Sequence, residues 1–178
     1  MSESSPIVAD YYRRLFDRHG PTLASLDWGS AEGQRRRFEV IAELGDFSGA
    51  SVLDVGCGLG DLLGWFRVRG VDVDYTGIDL VREMVESARD RHAGARFEQL
   101  DLLAVEPDDA AGLLGRFDFV VASGVFQIAV EDSQARMAAM LERMFALADR
   151  GVAANAVSAA TDGDPHEHTV EAGDLARM

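Results

Sequence analysis

The sequence predicts one α/β domain, in which helices cover both faces of a doubly wound parallel sheet of about five strands. From residue 51 onward, short apolar runs alternate with amphipathic segments, which is the pattern of strand–helix units. A glycine-rich turn, Gly56 to Gly60, follows the first apolar run and leads into a helical pattern. The length of 178 residues suits a single domain with one core.

The expected elements follow from the spacing of apolar residues. Strands are predicted at residues 51–55, 73–78, 95–100, 117–122 and 151–158. Helices are predicted at residues 7–19, 30–44, 60–69, 81–92 and 132–149. Ser30 is a candidate N-cap of the second helix. Residues 1–45 are therefore assigned to an N-terminal helical segment and residues 46–178 to the α/β core, within one domain overall.

Two of these helices have apolar faces that define their buried sides. The second carries Phe38, Ile41 and Leu44. The longest carries Met137, Met140, Leu141, Met144, Phe145 and Ala148. About twenty residues follow the fifth strand, and they are expected to form a loop and the start of a helix at Thr169.

The charge of the chain limits its partners. Thirty-one acidic residues outnumber seventeen basic ones, which gives a net charge of −14. Such a surface repels nucleic acids and anionic membranes, so a small neutral or cationic substrate is favoured. The longest apolar runs are too short to span a bilayer, and the N-terminus lacks a signal-peptide pattern. Cys57 is the only cysteine, which suits the reducing cytoplasm.

The glycine loop indicates a nucleotide site. The spacing of its glycines limits which class of nucleotide can bind. A dinucleotide fingerprint aligned on Gly56 and Gly58 requires a third glycine at position 61, where this chain has Asp61. A carboxylate at the start of a helix repels a pyrophosphate. It suits a cationic ligand instead, so NAD and FAD are disfavoured.

Four segments together resemble the class I S-adenosylmethionine (SAM)-dependent methyltransferases. Residues 52–60 resemble the first motif of that family, and residues 77–80 the end of its second strand. Residues 97–102 and 117–124 resemble its third and fourth motifs, in the same order and at similar intervals. The resemblance implies a Rossmann-like sheet, SAM as cofactor and S-adenosylhomocysteine (SAH) as product. The family adds a C-terminal β-hairpin after the fifth strand, and this hairpin is expected to be missing here.

The resemblance also implies a set of cofactor-binding residues. Asp79 is expected to bind the ribose hydroxyls, Asp101 the adenine amino group, and the turn after the fourth strand the methionine end. The full set is Asp54, Gly56, Cys57, Gly58, Gly60, Asp61, Asp79, Leu80, Met84, Asp101, Leu102, Ser123 and Gly124.

Structural roles compete with several of these assignments. Asp79 and Asp101 could act as caps, and Asp54 could be a buried, paired carboxylate that holds the loop. Met84 fits a helix core stripe equally well. Cys57 is interpreted as a packing residue, because no histidine lies near it in the sequence.

The acceptor side is expected to involve aromatic residues. In the family resembled, N-terminal helices form a lid over the acceptor, so Tyr11, Trp28 and their neighbours are candidates, with core packing as the alternative. Phe126 and Gln127 follow the fourth strand, at the edge where open α/β sheets bind ligands.

No catalytic residue is assigned. Residues 162–168 contain Asp and His, but their spacing matches no strong metal template, so no metal is predicted. If a general base is used, His166 or His168 is the candidate.

The predicted function is methyl transfer from SAM to a small-molecule acceptor by in-line displacement. Two alternatives stay open: non-methylating chemistry on the same fold, and a non-catalytic SAM-binding partner subunit. For the open sheet edge two alternatives also stay open: the chain is a fragment of a longer protein, or a second copy or a partner chain covers the edge.

Overall fold

The computed structural model describes residues 5–158 and 169–170. Its helices are α1 (Ser5–His19), α2 (Ala31–Ala42), α3 (Asp61–Val68), α4 (Arg82–Arg91), α5 (Pro107–Leu114) and α6 (Ser133–Leu147). Its strands are β1 (Ser51–Val55), β2 (Asp74–Asp79), β3 (Arg96–Gln99), β4 (Phe117–Ala122), β5 (Ala148–Ala154), β6 (Val157–Ser158) and β7 (Thr169–Val170). Short 3-10 helices lie at Leu23–Leu26 and Leu102–Ala104.

Strands β1 to β5 form one parallel sheet in the order β3-β2-β1-β4-β5, which confirms the predicted fold class. The chain builds one half of the sheet from β1 to β3 and then crosses to the other side of β1. Val55 pairs with Ile78 of β2 and with Ala122 of β4, so the three strands end level. Open α/β sheets bind ligands at this kind of reversal, at the carboxyl ends of the strands.

Apolar residues bury both faces of the sheet, as parallel strands covered by helices require. Leu53 packs in a cluster with Met144 of α6 on one face. Val52 and Phe119 pack in a second cluster with Phe66 of α3 on the other face. The two layers fix the carboxyl edge of the sheet, where the loops diverge.

Three boundaries differ from the sequence prediction. Helix α5 was not predicted, because eight residues that include Gly112 give little periodic signal. Helix α6 ends at Leu147, and β5 runs from Ala148 to Ala154 instead of over residues 151–158. Arg116 fixes this early start: its Nε donates to Oδ1 of Asp149 over 2.6 Å, and its guanidinium also donates to the Ala148 carbonyl.

Three further expectations need correction. Phe145 is 64 % exposed, because it lies about 100° around α6 from the buried Met144. Leu44 is not part of the second helix, which ends at Ala42. Thr169 does not begin a helix: with Val170 it forms β7, which pairs in parallel with β6, and both residue types favour extended backbone.

The N-terminal segment packs over the glycine loop. Ser30 caps α2 as predicted, since its Oγ accepts a 3.0 Å hydrogen bond from the Gly33 amide. Side chains from the segment join a small apolar cluster beside the loop, formed by Tyr12, Phe16, Leu26, Leu59, Val81 and Met84. Among residues 5–158 and 169–170, no helix combines the length and apolar character needed to cross a bilayer.

Candidate functional site

A pocket lies at the carboxyl ends of β1, β2 and β4 and is closed on one side by the N-terminal segment. It brings together residues from all four motifs singled out in the sequence. The predicted residues that line it are Trp28, Asp54, Gly56, Cys57, Gly58, Asp61, Asp79, Leu80, Met84, Asp101, Leu102, Ser123 and Gly124. Gly60 does not line it; it is the N-cap of α3.

The glycine loop has no room for side chains at Gly56, Gly58 and Gly60, and the first two of these line the pocket. Gly56 has φ +73°, and a Cβ there would lie 2.2 Å from Cγ1 of Val125. Gly58 has φ +53°, and a Cβ there would lie 2.6 Å from Cδ2 of Leu26. Only glycine adopts such backbone freely, so the loop requires glycine for both conformation and space.

Asp79 ends β2 and faces the glycine loop. One carboxylate oxygen accepts a 2.9 Å hydrogen bond from the Gly58 amide, and the other accepts a 2.9 Å bond from the Val81 amide. Burial raises the pKa of this carboxyl, while the backbone donors act in the opposite direction. The residue therefore caps two backbone groups and also lies on the pocket wall.

Asp54 lies inside the sheet, just before the glycine loop. It is 3 % exposed, and its Oδ2 accepts a 2.5 Å hydrogen bond from the Tyr75 hydroxyl. Burial raises the pKa of Asp54 to about 7; the Tyr75 hydrogen bond opposes this rise, and the nearby Asp79 adds to it. Asp54 is thus the buried, paired carboxylate that one interpretation of the sequence expected.

Asp61 is the first residue of α3, which places its charge at a helix N-terminus. Its Oδ2 accepts a 3.0 Å hydrogen bond from the Gln34 amide, and its Oδ1 lies 3.5 Å from the Arg91 guanidinium. Gln34 also lines the pocket, although it was not among the predicted site residues. The carboxylate thus adds negative charge at a helix N-terminus, which opposes binding of a pyrophosphate there.

Asp101 and Met84 form another part of the wall. The Oδ1 of Asp101 accepts a 3.0 Å hydrogen bond from the Leu103 amide and so caps a short 3-10 helix. Met84 is 2 % exposed and packs against Leu59 and Val81. Both residues therefore combine the structural role and the pocket position that the sequence left as alternatives.

Asn155, which was not among the predicted site residues, stabilises the turn after β4. Asn155 accepts a 3.0 Å hydrogen bond from the Gly124 amide and donates one of 3.0 Å to Oγ of Ser123. Trp28 packs on this turn, since a Cβ on Gly124 would lie 3.0 Å from its ring. The polar residue directly after an apolar strand was the available signal, but the strand was predicted to continue through it.

Three of the four acceptor-side candidates lie outside the pocket lining. Tyr11 is exposed and donates a 2.8 Å hydrogen bond to Asp27, and its neighbour Tyr12 lines the pocket instead. Phe126 is buried in the apolar core, because the chain turns inward after β4. Gln127 is buried behind Gly124: a Cβ on that glycine would lie 3.3 Å from its Nε2.

Arg136 is a buried residue of α6 that lines the pocket and was not among the predicted site residues. Its position beside the apolar stripe of an amphipathic helix gave no sign of burial. Cys57 is 7 % exposed, and burial raises the pKa of its thiol well above the usual value. A thiol held neutral is a poor nucleophile, which favours the packing interpretation.

In the described part of the chain, no three His, Cys, Asp or Glu residues form a group that could hold a metal ion. Residues 162–168, which include the candidate bases His166 and His168, lie outside the described residues.

The sequence is similar to known methyltransferases. Residues 53–153 match the family described as "Methyltransferase domain". A Mycobacterium tuberculosis protein named as a methyltransferase is 34 % identical over 63 % of this chain and 66 % of its own length. The trans-aconitate 2-methyltransferase of Sinorhizobium fredii is 31 % identical over 57 % of this chain and 40 % of its own length. The chain thus matches about two thirds or less of each of these relatives.

Solved structures show the same fold. The magnesium protoporphyrin IX methyltransferase of Synechocystis, crystallised with bound SAH, has a TM-score of 0.69 and is 20 % identical. That match covers 97 % of this chain and 85 % of the other. Because the family match covers more than half of the sequence, the chain belongs to the methyltransferase-domain family of class I SAM-dependent methyltransferases.

Proposed function

We propose that the protein transfers a methyl group from SAM to a small-molecule acceptor. The observation that carries the proposal is Asp79: two loop amides fix its carboxylate on the wall of a pocket that the glycine loop also lines. A fixed carboxylate at the end of β2 suits the two hydroxyls of a ribose.

The chemistry of the pocket fits SAM. Four carboxylates, from Asp54, Asp61, Asp79 and Asp101, line it, and a ligand with sulfonium and ammonium groups is compatible with that charge. In the proposed orientation Asp101 faces the adenine, Asp79 binds the ribose, and the methionine end lies along the glycine loop. Asp61 accepts from Gln34 and adds negative charge at the methionine end.

The residues of the chain mainly position the reactants. When bound, SAM supplies a methyl group that is already activated on a sulfonium. The glycine loop lets the backbone approach the cofactor closely. Trp28 and Tyr12 exclude water from the acceptor side. We propose residues 1–45 as the acceptor lid and residues 46–178 as the SAM-binding core of one domain.

The proposal extends to the cellular location of the enzyme and to its partners. A single cysteine suits the reducing cytoplasm, and the net charge of −14 disfavours a nucleic-acid acceptor. Strand β5 lies at an edge of the described sheet, so we propose that a second copy or a partner chain covers it. Light scattering coupled to size-exclusion chromatography tests this: a monomer at micromolar concentration argues against a second copy.

Calorimetry with SAM, SAH and NAD tests the central proposal. We expect SAM and SAH to bind and NAD not to bind, because the charge of Asp61 at a helix N-terminus opposes binding of its pyrophosphate. Failure of both SAM and SAH to bind contradicts the proposal. Release of SAH in the presence of an acceptor separates a methyltransferase from a protein that only binds the cofactor.

A further inference from the structure

Arg136 has a buried charge that its protein neighbours satisfy only in part. The residue is 6 % exposed and lines the pocket from α6. One terminal guanidinium nitrogen donates a 3.3 Å hydrogen bond to the Val125 carbonyl. Its Nε is buried and has no hydrogen-bond partner among the described residues. An unsatisfied buried donor on a charged group is costly, and an anion in the pocket would offset this cost by binding the guanidinium.

Tyr12 provides a further possible donor beside Arg136. Tyr12 lines the same pocket, and its hydroxyl interacts with the Gln127 side chain and with the charge of Arg136. Burial raises the pKa of Tyr12, so its hydroxyl stays protonated and can donate.

Two neighbours place Arg136 between the adenine end and the turn after β4. Among the acidic groups that favour its charged form, Asp101 has the largest effect. Asp101 lies at the adenine end of the proposed orientation, away from the methionine end. Val125, which Arg136 contacts, follows the turn that we assign to the methionine end, and the transferred methyl group and its acceptor are expected beside that turn.

We propose that the methyl acceptor carries a single carboxylate, which the guanidinium of Arg136 binds, with the Tyr12 hydroxyl as a second donor. A guanidinium edge matches the two oxygens of a carboxylate. A phosphate fits less well, because its second negative charge would face four carboxylates and one arginine on the described pocket wall. This inference rests on the proposed function and revises the sequence expectation of a neutral or cationic acceptor.

Binding to the full chain saturated with SAH tests the proposal without requiring turnover. The probes for calorimetry are phenylacetate and hexanoate, their primary amides, and phenyl phosphate. We expect at least one carboxylate to bind tenfold or more tightly than its amide and than phenyl phosphate. Equal binding of acid and amide, or no binding of either carboxylate, overturns the proposal. A wild-type protein that fails to bind SAH rejects the proposed function itself and is seen before any probe is added.

Variants at Arg136 assign the preference to this residue. Arg136→Met is expected to abolish the acid-over-amide preference and to leave the affinity for SAH within twofold. Arg143→Met is the matched control, because Arg143 lies two turns along α6 and donates to the Val105 and Ala139 carbonyls outside the pocket. We expect this control to keep the preference.

Two outcomes at Arg136 contradict the proposal. A parallel loss of SAH affinity in Arg136→Met would place the residue in the cofactor half of the site. An unchanged preference would remove its role altogether. If Arg136→Met does not fold, Arg136→Lys decides, since lysine keeps the charge but lacks the guanidinium edge. A weakened preference in Arg136→Lys supports the proposal, and a full wild-type preference contradicts it.

Discussion

The Tyr75 hydroxyl donates a 2.5 Å hydrogen bond to Oδ2 of Asp54 between two adjacent strands of the sheet. Tyr75 pairs with Val52, and Asp54 pairs with Gly77, so the hydroxyl reaches its partner diagonally across two residues. This bond links the end of β1 to β2 just before the glycine loop begins. It also leaves a buried carboxyl whose protonation changes near neutral pH.

The first prediction concerns the effect of pH on stability. Burial raises the pKa of Asp54 from its ordinary value of 3.8 to about 7. Between these values the folded protein keeps a proton that the unfolded chain releases, so the free energy of unfolding falls as pH rises from about 4 to about 7. The loss from this group is on the order of 4 kcal/mol and does not grow above pH 7.

Urea unfolding of the Asp54→Asn variant at pH 5 and pH 8 measures this contribution. We expect the variant to lose most of the stability difference that the wild type shows between the two values. Asp149→Asn is the control, because Asp149 is exposed and paired with Arg116 on the surface. If Asp54→Asn keeps the wild-type difference, Asp54 is not the group responsible.

Tyr75→Phe provides the second prediction, because it keeps the ring and removes only the donor. At pH 8 the ionised Asp54 loses a charge-assisted hydrogen bond, so we expect a loss of about 2 to 3 kcal/mol in unfolding free energy. At pH 5 the carboxyl is neutral, and the expected loss is about 1 kcal/mol. Tyr11→Phe removes an exposed hydrogen bond to Asp27 and should cost less at both pH values. Equal losses at pH 5 and pH 8 in Tyr75→Phe would contradict the argument.

Much of the site was predictable because its residues sit at strand ends. Asp54, Asp79 and Asp101 end or follow apolar runs, and parallel strands bring such positions to one edge of the sheet. The partners of these residues were not predictable. Tyr75 is an ordinary strand residue in the sequence, and only the register of β1 against β2 shows that it reaches Asp54.

Residues on helices were harder to place than residues on strands. Tyr11 and Tyr12 are neighbours in the sequence, but their side chains leave α1 about 100° apart, so only one can face the pocket. Which one does so depends on how α1 packs over the glycine loop. Arg136 illustrates the same limit, since its burial depends on the position of the start of α6 beside the pocket.

The third prediction tests the proposed ribose contact. Asp79→Ala removes the carboxylate that we assign to the two ribose hydroxyls, and we expect SAM and SAH to bind about 100-fold more weakly, corresponding to about 3 kcal/mol. Calorimetry with adenosine and 2′,3′-dideoxyadenosine isolates the contact. The wild type should prefer adenosine, and the variant should bind both equally. A preference that survives in Asp79→Ala would show that the hydroxyls are bound elsewhere, and Asp149→Ala should behave as wild type.

The fourth prediction concerns Gly58, where backbone conformation and space both oppose a side chain. The Gly58→Ala variant places a methyl group 2.6 Å from Cδ2 of Leu26 at φ +53°, so the loop or the N-terminal segment must shift. We expect SAM affinity to fall at least tenfold. The Gly112→Ala control should be neutral or stabilising, because Gly112 lies in α5 with open space around it.

Combining Gly58→Ala with Leu26→Ala separates the two causes. Shortening Leu26 removes the steric conflict but leaves the alanine in left-handed backbone, which costs about 1 kcal/mol. The double variant should therefore regain part of the SAM affinity that Gly58→Ala loses, without reaching that of Leu26→Ala alone. Full recovery would mean that contact with Leu26 is the whole effect. No recovery would mean that the methyl group blocks the cofactor directly, because Gly58 also lines the pocket.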